Sequence, residues 1–218
     1  MNTNVISKQK GTVLSTKQMV LVSLLAALSY VLMLIHLPYK HLGFLEIEFS
    51  DIPAVFAALQ FGPFAGVFVE LIKNIIKAIT ASTTSGIGEL ANFIISIAYI
   101  IPVGILYKVR KARQIKHGNS KSWSGIFMIF LFFVGTAAMV ITGALLNYFV
   151  MIPLYARLFG GMDVVVGIAA AGVPAIKNLG SLVLLGITPF NIAKGIGISI
   201  IGYYAFRILN GKMSNLLR

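Results

Sequence analysis

The chain has 218 residues, of which 58% are hydrophobic and only 11% charged, with a mean hydropathy of +0.91. Soluble domains carry about a quarter charged residues, so the composition reads as one integral-membrane helical bundle with no length left for a separate soluble domain. The lack of cysteine excludes disulfide and thiol chemistry, and His36, His41 and His117, without ligand spacing, predict no metal site.

Crossing roughly 30 Å of hydrocarbon takes about 20 apolar residues. Met19–Leu37 qualifies as the first span. Lys8, Lys10 and Lys17 precede it as in a signal peptide, but the run is too long for one and no small-residue cleavage site follows. Residues 38–51 are expected to form an outer loop. Ile52–Phe61 and Phe64–Ala81 flank Phe61-Gly62-Pro63, which reads as a tight turn between a short second helix and a third. Ile87–Tyr107 is a fourth span, followed by a basic cytoplasmic loop over 108–122. Trp123–Ile152 is a long fifth. A straight helix from Lys177 to Arg207 would be about 46 Å long, too much for one crossing. Thr188 as N-cap and Pro189 in the first turn therefore predict a sixth helix starting there. Residues 153–187 become an outer segment of short helices.

These readings predict an all-α polytopic membrane protein, one domain over 1–218 with six transmembrane helices. Both termini, including the segment 1–16, are expected to be cytoplasmic. Most of the eighteen Lys and Arg then fall on one side, with no acidic residue among them. The net charge of +12 is thus a topology signal, and nucleic acid is not an expected partner.

Within the apolar runs, a few polar residues share one depth. Asn191 and Lys194 follow Pro189 closely, Asn147 precedes Pro153 by about two turns, and Glu89 and Asn92 open the fourth span. Lys77 lies near the outer end of the third. Their convergence predicts a polar pocket open to the outside. Lys194 sits in the first turns of its helix, where a cation opposes the macrodipole by about 0.3–1 kcal/mol. The plainer alternative is a snorkelling lysine beside interhelical amide bonds. Gly195 would let a flat ligand approach the backbone. Glu70 with Asn74, and Lys73 with Lys77, stand at four-residue spacing and read as structural pairing. Gly86-Ile-Gly88-Glu89-Leu90-Ala91 follows no strand, so it is not a dinucleotide fingerprint, and no P-loop is present. Ser23, Ala26 and Ala27 form a small-residue patch suited to docking a partner helix.

The stretches LEIEFSDIPAVFAALQFGPFAGVFVELIKNIIKAI, GIGELANF, NYFVMIPLYARLF and TPFNIAKGI resemble the riboflavin-binding S components of energy-coupling-factor vitamin transporters. The resemblance covers most of the chain from the first helix onward, and EFSDIPA and PFN-x-x-KG are its specific parts. It implies a six-helix subunit of the bacterial plasma membrane that captures a vitamin at its outer face. It also implies a transmembrane coupling subunit and two cytoplasmic ATPases as partners, no enzymatic activity and no catalytic cofactor. Asn147, Asn191 and Lys194 match the family's ligand-binding positions, and the stretch around Leu45, Glu46 and Phe49 matches its covering loop. The family's alanine-xxx-alanine docking motif appears here as Ser23-Leu-Leu-Ala-Ala27, departing by a serine. A related component for thiamine or biotin, or a self-sufficient proton-coupled carrier, remains open from the residues alone.

Overall fold

The computed structural model describes residues 14–43, 45–116 and 125–216. Helix α1 (Thr16–Leu34) opens on a capping box in which Ser15 and Gln18 satisfy each other's backbone amides. An antiparallel hairpin follows, β1 (His36–His41) with β2 (Leu45–Glu48). The expected outer loop over 38–51 is therefore ordered as a hairpin plus the start of the next helix. At its tip Leu42 has a φ of 55° and Gly43 a φ of 80°. The Leu42 side chain is buried, and a Cβ on Gly186 would lie 2.5 Å from its Cδ1. The hairpin tip is thus seated against the last long helix.

Helix α2 (Asp51–Phe61) is apolar and buried over most of its length, from Ala54 to Leu59. Gly62, at φ 106°, turns the chain directly into α3 (Pro63–Thr80), with proline in the first turn where its missing N–H costs nothing. The two helices cross closely. Helix α3 is inverted relative to a water-soluble helix. Phe64, Phe68, Leu71, Ile75 and Ile79 are exposed, while Glu70, Lys73 and Asn74 are buried. Exposed apolar and buried polar faces belong to a helix solvated by lipid.

Helix α4 runs from Ile87 to Lys116, so the basic stretch expected as a loop from 108 is helical as far as 116; its remainder, with Trp123, lies outside the described residues. Helix α5 (Gly125–Leu146) passes through a π turn (Asn147–Met151) into α6 (Ile152–Phe159), which Gly160 ends in the left-handed region. Helix α7 (Met162–Gly172) packs beside it. Helix α8 (Leu179–Leu182) is capped by Asn178 and passes through a second π turn (Val183–Ile187) into α9 (Thr188–Leu216).

Two expectations are corrected here. The fifth helix does not stop near Pro153, and the sixth does not begin at Pro189: the uninterrupted helical runs are Gly125–Phe159 and Leu179–Leu209. The two ends of the segment, 153–159 and 179–187, therefore belong to these helices, and the short helix Met162–Gly172 lies between them. The reason is the same at both prolines. A proline ring clashes with the carbonyl four residues back. Each π turn closes one residue before the proline, with Ile152 N–H bonding Asn147 O and Thr188 N–H bonding Val183 O. The wider turn accommodates the ring inside a continuous helix.

Among the described residues, four helical runs are long and apolar enough to cross a membrane: Thr16–Leu34, Ile87–Lys116, Gly125–Phe159 and Leu179–Leu209. Helix α2 is too short, and α3 carries Glu70, Lys73 and Lys77. Apart from the hairpin, the fold is helical.

The α2–α3 crossing yields a stability prediction. A Cβ on Gly66 would sit 2.7 Å from the Ala54 carbonyl oxygen and 2.8 Å from Ala58 Cβ. Gly66→Val should destabilise by about 1–3 kcal/mol, read as a lower melting temperature in detergent. Gly167→Ala, where a Cβ meets open space, should show no loss.

Candidate functional site

A cleft of about 820 Å³, its open mouth included, lies among the hairpin, the end of α3, the start of α4 and the two π turns. Its apolar walls come from Leu45, Ile95, Tyr155, Ile187 and Phe190. Two apolar cores meet at it, one contributing Ile95 and the other Tyr155 and Ile187.

The polar side is a continuous network. Lys194 Nζ donates to Asn92 Oδ1 at 2.7 Å, lies 2.9 Å from Asp51 Oδ2, and lies 3.8 Å from Glu48 Oε1. Asp51 also accepts from Lys73 through its other oxygen. Lys73, with 0% exposure, pairs with Glu70 at 2.9 Å and donates to Ser50 Oγ at 2.6 Å. Glu70 accepts from Asn74 Nδ2 at 3.3 Å, and Asn92 Nδ2 donates to Asn74 Oδ1 at 3.2 Å and to Glu48 Oε1 at 3.3 Å. At the mouth Lys77 pairs with Glu46 at 3.0 Å. Glu89 Oε2 accepts from Ser82 Oγ at 2.8 Å and from Thr84 Oγ1 at 3.4 Å.

The two asparagines on the long helices are placed by the π turns. Asn147 opens the first, and its Nδ2 donates to Gly143 O at 2.8 Å. Asn191 donates to Ile187 O, the last residue of the second, at 3.0 Å. Both side chains are buried and line the cleft. Each spends one amide N–H on its own helix, leaving the side-chain oxygen and the second N–H for a ligand.

The structure brings Leu45, Glu46, Glu89, Asn92, Asn147, Asn191 and Lys194 together around one cavity. It does not bring Phe49 or Gly195 there. Phe49 is 44% exposed and lines a neighbouring apolar cleft with Phe190, Ala193 and Ile198. Gly195 faces α5 instead: a Cβ on it would lie 2.7 Å from Thr136 Cγ2, so its smallness serves helix packing rather than ligand approach. Lys194 does not snorkel; it points inward to Asp51 and Asn92. In the small-residue patch, Ser23 and Ala27 are exposed, but Ala26 is buried in the core and unavailable to a partner.

Sequence reasoning missed Glu48 and Asp51 as pocket partners, having assigned both to the outer boundary. Their signal was present: two lysines in apolar helices require carboxylates, and EFSD is the nearest acidic run. Among the described residues, no group of three His, Cys, Asp or Glu is arranged to hold a metal ion.

A helical bundle with long apolar runs around a cleft lined by buried amides and ion pairs has the architecture of a membrane-embedded binding protein. The family model for the substrate-specific component of ECF transporters matches residues 17–205, and the chain belongs to that family. It is 35% identical to the riboflavin transporter FmnP of Bacillus subtilis (strain 168) over 86% of this chain and 89% of that protein. It is 31% identical to the riboflavin transporter RibU of Staphylococcus aureus (strain TCH60) over 97% of both. A solved structure of the S component of a bacterial ECF transporter superposes with a TM-score of 0.61 at 30% identity, covering 93% of this chain and 98% of that one.

The buried ion pairs give a second prediction. Lys73→Met leaves Glu70 without its cation and should cost about 3–5 kcal/mol, measured by thermal unfolding in detergent. Adding Glu70→Gln should recover part of that loss.

Proposed function

We propose that this chain binds riboflavin in the cleft, as the substrate-binding subunit of an energy-coupling-factor transporter. It is a multi-pass protein of the bacterial plasma membrane and a transport component rather than an enzyme. In this reading α2 and α3 complete six crossings with the four long helical runs, both termini are cytoplasmic, and the cleft opens outward. Riboflavin is cargo. A transmembrane coupling subunit and two cytoplasmic ATPases supply the energy, and the exposed Ser23 and Ala27 of α1 lie on the face offered to the coupling subunit.

The observation that carries the reading is a pair of buried amides beside an apolar wall, Asn147 at the head of one π turn and Asn191 just past the other. A ribityl chain offers several hydroxyls, and the Asn147 and Asn191 oxygens can accept from them. The flavin ring is a flat, largely apolar body that Leu45, Ile95, Tyr155 and Phe190 can enclose. Lys194 donates to Asn92 and pairs with Asp51 and, at 3.8 Å, with Glu48, and as a donor at the cleft wall it can meet a flavin carbonyl. The names of the relatives support the same cargo.

Purified protein should carry a flavin absorption spectrum. Asn147→Ala and Asn191→Ala should each weaken riboflavin binding by about 1–3 kcal/mol, the cost of unmet buried polar partners, measured by quenching of flavin fluorescence. Unchanged affinity in both variants would sink the site.

A further inference from the structure

Among the described residues of the hairpin, His41 Nε2 and Glu48 Oε2 are buried without a hydrogen-bond partner, and of the two only Glu48 lines the cleft. Glu48, at the end of β2, is 7% exposed and lines both the main cleft and the adjoining apolar one. Its Oε1 accepts from Asn92 and lies 3.8 Å from Lys194. Its Oε2 is buried and, among the described residues, has no hydrogen-bond partner. A buried carboxylate oxygen without a donor is unfavourable. The other pocket carboxylates are engaged. Glu46 pairs with Lys77, Asp51 is held by both Lys73 and Lys194, and Glu89 accepts from Ser82 and Thr84.

We infer that Glu48 Oε2 is a ligand-binding position that accepts a hydroxyl proton of the bound polyol chain, tying the hairpin to the cargo. This rests on the riboflavin reading above. The choice between the two donor types of a flavin follows from their neighbours. The imide N–H is flanked on both sides by carbonyl oxygens, which a carboxylate repels. A chain hydroxyl rotates its proton onto the acceptor and brings no fixed acceptor with it. Bonds to a charged acceptor are short and strong, so Glu48 discriminates in favour of ligands that carry hydroxyls.

The test titrates the full chain in detergent with riboflavin and with lumiflavin, which has a methyl group in place of the ribityl chain, reading fluorescence quenching. Glu48→Gln preserves shape but turns one oxygen into a donor. It should weaken riboflavin about tenfold or more and lumiflavin less than about twofold. Glu46→Gln, on the same hairpin with its carboxylate held by Lys77, should shift both ligands by one common factor. Equal weakening of both ligands by Glu48→Gln overturns the assignment, as does the same discrimination appearing in Glu46→Gln. Wild-type protein that quenches neither flavin overturns the riboflavin reading itself.

Discussion

Lys73 lies with no solvent exposure between Asp51 and Glu70, and Lys194 holds the other oxygen of Asp51. Asp51 starts α2, Lys73 and Glu70 belong to α3, and Lys194 belongs to α9. One carboxylate therefore joins the successive helices α2 and α3 to α9, which lies far along the chain. At 2.9 Å, a pair in a medium of effective dielectric near 20 gains on the order of 5 kcal/mol. Desolvation of both ions removes most of it. What survives is position: each ion satisfied only in this arrangement, and each alternative leaving a charge stranded in an apolar medium.

That constraint builds the cleft. With Asp51 fixed, Glu48 is held in the wall of the cleft and Ser50 against Lys73, while Leu42 at the hairpin tip is seated against Gly186. Asn92 passes the network on, accepting from Lys194 and donating to Glu48 and Asn74. Helix α4 is thereby tied to α3 and α9 at the level of the pocket. The π turns act from the other side, rotating Asn147 and Asn191 inward while each helix continues past its proline. Glycines make the approach possible: a Cβ on Gly143 would lie 2.7 Å from Asn191 Nδ2.

Polar residues inside apolar runs were legible, because lipid leaves a buried amide or ammonium few reasons to be there. Asn92, Asn147, Asn191 and Lys194 stood out on that ground and meet in one cavity. Their partners were harder to find. Asp51 and Glu48 lie where a chain leaves the membrane, and only the distance across the fold shows that two buried lysines claim them. Prolines misled in the other direction. Pro153 and Pro189 have the local grammar of a helix end and a helix start, and the π turn that absorbs each has no residue signature of its own. Gly195 was ambiguous in kind: a small residue permits close approach by a ligand or by a helix, and Thr136 decides for the helix.

Charge shows why the same machinery suits an uncharged cargo. Of the six acidic residues in the chain, only Asp163 lies away from the site; Glu46, Glu48, Asp51, Glu70 and Glu89 line it or stand directly behind it. Lys73, Lys77 and Lys194 are the cations set against them. In the lining itself, Glu46, Glu48 and Glu89 stand with Lys77 and Lys194. Bidentate capture of a phosphate relies on arginine, and among the described residues no arginine lines the cavity. An anionic ligand would meet carboxylates at the hairpin and at the head of α4, while a neutral, hydroxyl-bearing one finds acceptors at both. The ions that hold the helices in register also set what the space between them will accept.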